Sequence, residues 1–201
     1  VAVALGSVVD ATGLDRFADS VGANMGGLGK PVPGAWLSLA AQAAQTHGFA
    51  AAATHIANRC VRWHNEHVPD TAVTGAYNLY LIKLIDCLYV AGRWEEAAPL
   101  AEQATQRQSG GVNDAAAILT LIALRRGDSA SFQRHLRAAY ARPKFFPDSS
   151  WRFQLEARMA AVRKNQTAMV STLRRLPRPA CHACPEITPA MRRAPSMRDL
   201  Q

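Results

Sequence analysis

The residues whose types and spacing best suit chemistry form a close cysteine pair near the C-terminus, Cys181-His182-Ala183-Cys184. Two thiolates at this spacing bind zinc or form a redox disulfide, and His182 adds a further ligand type. Zinc needs four ligands, however, and no second cysteine pair stands at a matching spacing. Haem attachment needs a histidine directly after the second cysteine, where Pro185 stands. These residues are therefore weak metal candidates, and a surface loop is the favoured interpretation.

Other catalytic patterns in the sequence are incomplete. Residues 22–30 are similar to a phosphate-binding loop, but Pro31 replaces the required hydroxyl residue and no apolar strand precedes the segment. His64 and His67 are three residues apart, yet no carboxylate completes a metal motif on their helix face. No serine lies in a nucleophile elbow, and no carboxylates are paired for acid–base work. We therefore expect neither an enzyme nor a cofactor.

The composition is typical of closely packed helices. Of the 201 residues, 49% are apolar and 19% are charged, which excludes a polar disordered chain. Abundant alanine and few aromatic residues favour helices over sheets. The net charge of +8 suits an acidic partner or a nucleic acid. Because the basic residues are spread along the chain, solvated helix faces explain most of them, and nucleic-acid binding is not favoured.

The remaining cysteines and the apolar N-terminus bear on the compartment. Cys60 and Cys87 lie in apolar helical segments, where we expect them to pack as small reduced residues in the core. Reduced cysteines favour a cytoplasmic protein, but the periplasmic part of a membrane-tethered protein would have the same features. The apolar run 1–9 is too short to span a bilayer, so no transmembrane segment is expected.

A turn pattern recurs through the middle of the chain. Gly48, Gly92 and Gly127 each end one apolar helical stretch and open another, and Asn165 takes the same place in a fourth unit. Their separations of 44, 35 and 38 residues lie in the range of helix-pair repeats. Glycine enters the left-handed backbone region without steric cost, as a tight turn between helices requires, and asparagine is the next best residue.

The second of these units, residues 84–104 (LIDCLYVAGRWEEAAPLAEQA), resembles the tetratricopeptide-repeat (TPR) consensus. It has the leucine, the turn glycine, the aromatic residue, the Glu-Ala pair and the late alanine at the family's offsets. Two positions depart from the family pattern. Ile85 stands where the family has glycine, and no closing proline follows Ala104.

Residues 34–200 resemble a particular group of these repeats. The segments LYVAGRWEEA (88–97), IALRRGD (122–128) and PAMRRAPSMRDL (189–200) look like the C-terminal TPR region of bacterial multidomain signalling proteins. Those proteins join the repeats to a Ser/Thr kinase or to a winged-helix transcriptional activator. Since the chain contains neither part, the resemblance implies only the role of the repeats, which is that of a scaffold or regulatory interaction module.

Pattern and resemblance together predict an all-α fold, a right-handed superhelix of antiparallel helix pairs. We expect an N-terminal helix and Gly/Pro-rich linker in residues 1–33, four TPR-like pairs in 34–176, and the cysteine loop with a closing helix in 177–201. In such a stack the first helix of each pair lines a concave groove.

The groove is the predicted functional surface, and it suits a peptide or protein partner that carries acidic residues. Its apolar lining residues either contact the partner or pack on a neighbouring helix. They are Leu79, Ile82, Leu121, Leu124, Leu155 and Met159. The polar and aromatic ones are the better candidates: Lys83, Asp86, Tyr89, Arg125, Arg152 and Arg163. The alternative is a structural subunit whose alanine-rich faces are permanently buried in a larger assembly. A basic nucleic-acid-binding helical protein is the third possibility.

Overall fold

A computed structural model describes residues 33–46, 49–69, 74–107, 112–141 and 150–173, together with Gly13, Arg16 and Arg175. The five continuous ranges contain eight helices and the turns between some of them, and they contain no strand. This confirms the all-α prediction. The helices are α1 Pro33–Thr46, α2 Ala50–Glu66, α3 Thr74–Val90, α4 Trp94–Gln106, α5 Val112–Arg126, α6 Ser129–Tyr140, α7 Ser150–Val162 and α8 Gln166–Leu173. The predicted linker, cysteine loop and closing helix lie outside these ranges.

The same backbone hydrogen bond closes four turns between consecutive helices. In each turn, the residue that precedes the new helix donates its N–H to the carbonyl oxygen five residues earlier. The four bonds are Phe49 to Ala44, Arg93 to Leu88, Asp128 to Ala123 and Asn165 to Ala160, at 2.9 to 3.0 Å. This bond belongs to the Schellman motif, which ends a helix with one left-handed residue. The same closing bond therefore recurs at all four turns, although the predicted turn residue Gly48 lies outside the described ranges.

The left-handed residue of the last turn differs from the one that the sequence predicts. Gly92 and Gly127 have φ of 76° and 71°, as expected, but in the fourth turn Lys164 has φ of 57°. The assignment of Asn165 to this position is therefore wrong by one residue. Asn165 instead begins α8, where its side-chain oxygen accepts a hydrogen bond from the Ala168 N–H at 3.0 Å. Asparagine is among the best residues for that capping position.

Replacing Lys164 by glycine should raise the free energy of unfolding by about 0.5–1 kcal/mol. A side chain in the left-handed region costs about 1–2 kcal/mol. Glycine removes this cost, but part of the gain is lost because glycine makes the unfolded chain more flexible. Urea denaturation measures the difference. The matched control is Gly127→Ala, where a Cβ meets nothing within 4 Å but the backbone has a positive φ. That variant should lose about 1 kcal/mol. Equal stability of Lys164→Gly and the unsubstituted chain would contradict the assignment.

One continuous core runs from α1 to α7, and alanine supplies much of it. Its largest fully buried side chains include Ile56, Leu81, Ile85, Leu121 and Ile122. A smaller cluster of Ala157, Ala160 and Met169 joins α7 to α8. Each of the four turns joins two helices that pack together, and α1 also contacts α3, α3 contacts α5, and α5 contacts α7. Small residues at the contacts allow the helix axes to approach closely.

Cys60 on α2 and Cys87 on α3 are both fully buried, and they form a disulfide with their Cα atoms 6.1 Å apart. Their predicted place in the core is confirmed, but the expectation that they are reduced is wrong. The bond links two consecutive helix pairs, since α2 ends the first pair and α3 begins the second. No helix in the described ranges is long and apolar enough to cross a lipid bilayer.

Candidate functional site

The predicted groove residues lie on or directly after α3, α5 and α7. Three arginines, at positions 125, 152 and 163, are exposed to solvent. Lys83 and Asp86 are half-buried and form an ion pair within α3 at 3.4 Å. Tyr89 is buried, with only 5% of its surface exposed.

Tyr89 connects several helices through its hydroxyl and its ring. The hydroxyl oxygen accepts a hydrogen bond from Arg125 Nε at 3.3 Å. The Arg125 guanidinium lies 5.0 Å from the centre of the Trp94 ring, and that of Arg158 lies 5.7 Å from the Tyr89 ring. Sequence reasoning found Tyr89 and Arg125 but missed Trp94 and Arg158. Trp94 was visible as the aromatic residue of the repeat, whereas the position of Arg158 depends on how α7 packs.

Arg152 and Arg163 have different aromatic neighbours, which lie on α6. The Arg152 guanidinium stacks 4.9 Å from the Tyr140 ring, and its Nε donates to Glu156 at 3.0 Å. Arg163 lies 5.1 Å from the Phe132 ring. The predicted residues thus fall into three groups: the Lys83–Asp86 pair, the Tyr89–Arg125 contact, and the two arginines against α6.

Most of the apolar side chains considered for the groove belong to the core instead. Ile82, Leu121, Leu155 and Met159 are at most 8% exposed. Leu79 is the exception, with 48% of its surface exposed. The sixth residue, Leu124, is partly buried and packs against the core. Packing on a neighbouring helix therefore accounts for five of the six residues, and Leu79 is the most exposed of them.

Leu79 lies at the edge of a small cleft of about 70 Å³ that sequence reasoning did not identify. The cleft is formed where the end of α2 meets α1 and α3, and its described lining residues are Ala35, Trp63, His64, His67, Pro69, Leu79, Tyr80 and Lys83. Four of these eight residues have aromatic rings. His67 stacks on Trp63 at 4.4 Å between ring centres, and Tyr77 stacks behind Tyr80 at 5.6 Å.

His64 is the most unusual residue of this cleft. It is only 1% exposed, and neither ring nitrogen has a hydrogen-bond partner of good geometry among the described residues. Burial lowers the pKa of His64 from 6.5 to about 4, and the nearby charge of Lys83 acts in the same direction. The Gly34 backbone opposes this shift without reversing it. The imidazole is therefore neutral at pH 7, with one donor and one acceptor nitrogen.

Within the described ranges, no three histidine, cysteine or carboxylate side chains are grouped so that they could hold a metal ion. The weak metal candidates Cys181, His182 and Cys184 lie outside those ranges.

Comparison with known proteins found no matching family model, no matching curated protein and no matching solved structure. The TPR resemblance therefore stays a prediction from the sequence.

Proposed function

We propose that this chain is a protein-interaction module, a TPR-like right-handed superhelix of antiparallel helix pairs that binds a polypeptide along the face of its first helices. The observation that carries this proposal is the series of contacts from α1 to α3, α3 to α5 and α5 to α7. Contacts between successive first helices place them side by side, as in helical repeat proteins with an extended binding face. The recurrence of one turn geometry between the paired helices supports the same arrangement.

The side chains on this face favour an acidic partner. Arg125, Arg152 and Arg163 are exposed there, and each guanidinium lies over an aromatic ring. Arg152 is also paired with Glu156, so Arg125 and Arg163 are the stronger candidates. Stacking fixes an arginine in place and lowers the entropy that is lost when it binds a carboxylate. A guanidinium has five N–H donors, so Arg125 keeps donors beyond the one that Tyr89 accepts. An extended or helical peptide with spaced Asp or Glu residues fits this arrangement.

Charge reversal on this face should weaken partner binding by about tenfold for each substitution, because it replaces attraction with repulsion at an interface. The variants are Lys83→Glu and Arg125→Glu, and the matched control is Arg62→Glu on the exposed side of α2. To obtain the partner, a photo-crosslinking amino acid is placed at position 125, and at exposed position 133 on α6 as a control. Binding to the purified partner is then measured by calorimetry.

The proposal predicts one protein that crosslinks at position 125 and not at position 133. Unchanged affinity of both charge-reversal variants for that protein would contradict the groove assignment. Equal crosslinking at both positions would also contradict it, since the second helices would then form the contact face.

The alternative of a permanently buried structural subunit receives less support from the surface. Such a subunit needs a large exposed apolar face when it is isolated. In the described ranges the exposed large apolar side chains are Val68 and Leu79 alone. Nucleic-acid binding is also less well supported, because Arg93 and Arg126 form ion pairs with Glu96 and Glu95.

We infer that the chain works in an oxidising compartment, such as the periplasmic side of a membrane-tethered protein. The buried Cys60–Cys87 disulfide favours this location over the cytoplasm, where thiols are kept reduced. Cells are lysed in iodoacetamide under denaturing conditions, and peptides that contain Cys60 and Cys87 are analysed by mass spectrometry. Both cysteines should escape alkylation and appear as one crosslinked peptide pair. Full alkylation would place the chain in a reducing compartment.

A further inference from the structure

In the cleft beside Leu79, both ring nitrogens of His64 lack a hydrogen-bond partner among the described residues. A buried polar group without a partner destabilises the folded state, so such groups are rare and need an explanation. The other buried histidine of the described ranges, His135, lies 3.4 Å from Glu102 and 3.2 Å from Arg134. His64 has no comparable partner among the residues that the structure describes, although it lines a cleft that is open to solvent.

The surrounding residues hold the imidazole in place. The Trp63 and Tyr80 rings both meet it edge-on, with ring centres at 5.1 and 5.2 Å. Gly34 closes a third side, where a Cβ atom would lie only 2.5 Å from His64 Nε2. These three neighbours leave the ring little room to rotate, and His64 is one of the residues that line the cleft. A preorganised polar group among apolar walls is what small ligand sites provide.

Size and charge restrict the ligand. A volume of about 70 Å³ would hold roughly two water molecules, or the end of a ligand with about three heavy atoms. Among the described residues, Lys83 is the charged member of the lining, and none of them contributes a carboxylate to it. Asp86 pairs with Lys83 from the next turn of α3 but does not itself line the cleft. The charged group that a ligand in the cleft contacts is therefore a cation, which favours an anionic ligand.

We propose that this cleft binds a carboxylate on a short apolar stem. The His64 N–H and the Lys83 ammonium donate to the carboxylate oxygens, and Trp63 and Tyr80 cover the stem. The carboxylate belongs either to a free short-chain acid or to an Asp or Glu side chain of a bound polypeptide. The polypeptide source rests on the proposed function, whereas the free-acid source does not.

The probes are sodium propionate, capped aspartate (N-acetyl-aspartate N-methylamide) and propionamide, titrated separately into the oxidised, isotope-labelled chain at pH 7. The His64 imidazole and Trp63 indole NMR signals report binding. Propionate should bind with a Kd in the millimolar range, as expected for so few atoms. Propionamide has the same size without the charge and should bind at least tenfold more weakly. Capped aspartate binding as tightly as propionate identifies a side chain as the source, and weaker binding identifies a free acid.

The variants His64→Phe and Lys83→Gln should each weaken propionate binding at least tenfold, while Lys164→Gln, at an exposed position after α7, should leave it unchanged. Propionamide binding equal to that of propionate would overturn the proposal, and so would full propionate binding by Lys83→Gln. The latter variant keeps the test valid if His64→Phe does not fold. Position 125 lies outside the cleft, so its crosslinking result tests the groove separately.

Discussion

Reduction of the Cys60–Cys87 bond should lower the free energy of unfolding by about 3.5 kcal/mol. The two cysteines are 27 residues apart in sequence. A crosslink across a loop of this length restricts the unfolded chain by about that amount. For a chain of this size the loss corresponds to a melting temperature lower by roughly 10 °C. Denaturation with urea in the presence and absence of a phosphine reductant measures it.

The control separates the crosslink from the packing of the sulfur atoms. A Cys60→Ala, Cys87→Ala double variant should unfold at the same urea concentration with and without reductant. The reduced unsubstituted chain should be more stable than this double variant, because its buried thiols still fill space that alanine leaves empty. If reductant leaves the unsubstituted chain unchanged while mass spectrometry shows free thiols, the crosslink does not stabilise the fold.

Acidification from pH 7 to pH 4 should remove about 3 kcal/mol of stability through His64 alone. In the unfolded chain its pKa is 6.5, whereas in the folded chain burial lowers the pKa to about 4. Between these values the unfolded state binds the extra proton, so stability falls as the pH falls. The loss begins near pH 6.5 and is complete near pH 4. The size follows from 1.36 kcal/mol for each unit of pKa difference.

The comparison with His64→Phe isolates this effect. Burial also lowers the pKa of His135, so the unsubstituted chain has a second contribution of the same sign, which cancels in the difference. At pH 7 the phenylalanine variant should be at least as stable as the unsubstituted chain, because it removes a buried polar group without a partner. A carboxylate-free buffer is required, since a bound carboxylate would raise the pKa of His64. If the free energies of unfolding of the two proteins change in parallel with pH, the pKa of His64 is not lowered by folding and the prediction is wrong.

The sequence by itself determined the helical fold class and the glycines of two of the turns that connect the helices. Apolar residues at helical spacing indicate where a helix lies whatever packs on it, because the 3.6-residue period is a local property of the backbone. Gly92 and Gly127 could be placed in turns for the same reason, since a positive φ favours glycine at those positions. Lys164 could not be placed, because a lysine adopts that geometry only where the packing of α7 and α8 enforces it.

Only the tertiary structure decided which faces pair and what the candidate sites contain. Cys60 and Cys87 occupy positions that need small residues, and a reduced pair and a disulfide satisfy that need equally well until α2 and α3 are brought together. In the sequence, nothing distinguishes His64 from the other histidines of the predicted helices. Its burial and unpartnered nitrogens follow from Gly34 and Tyr80, which come from two other helices. Helical periodicity is fixed by neighbours in sequence, whereas burial, bonding and charge are fixed by neighbours in space.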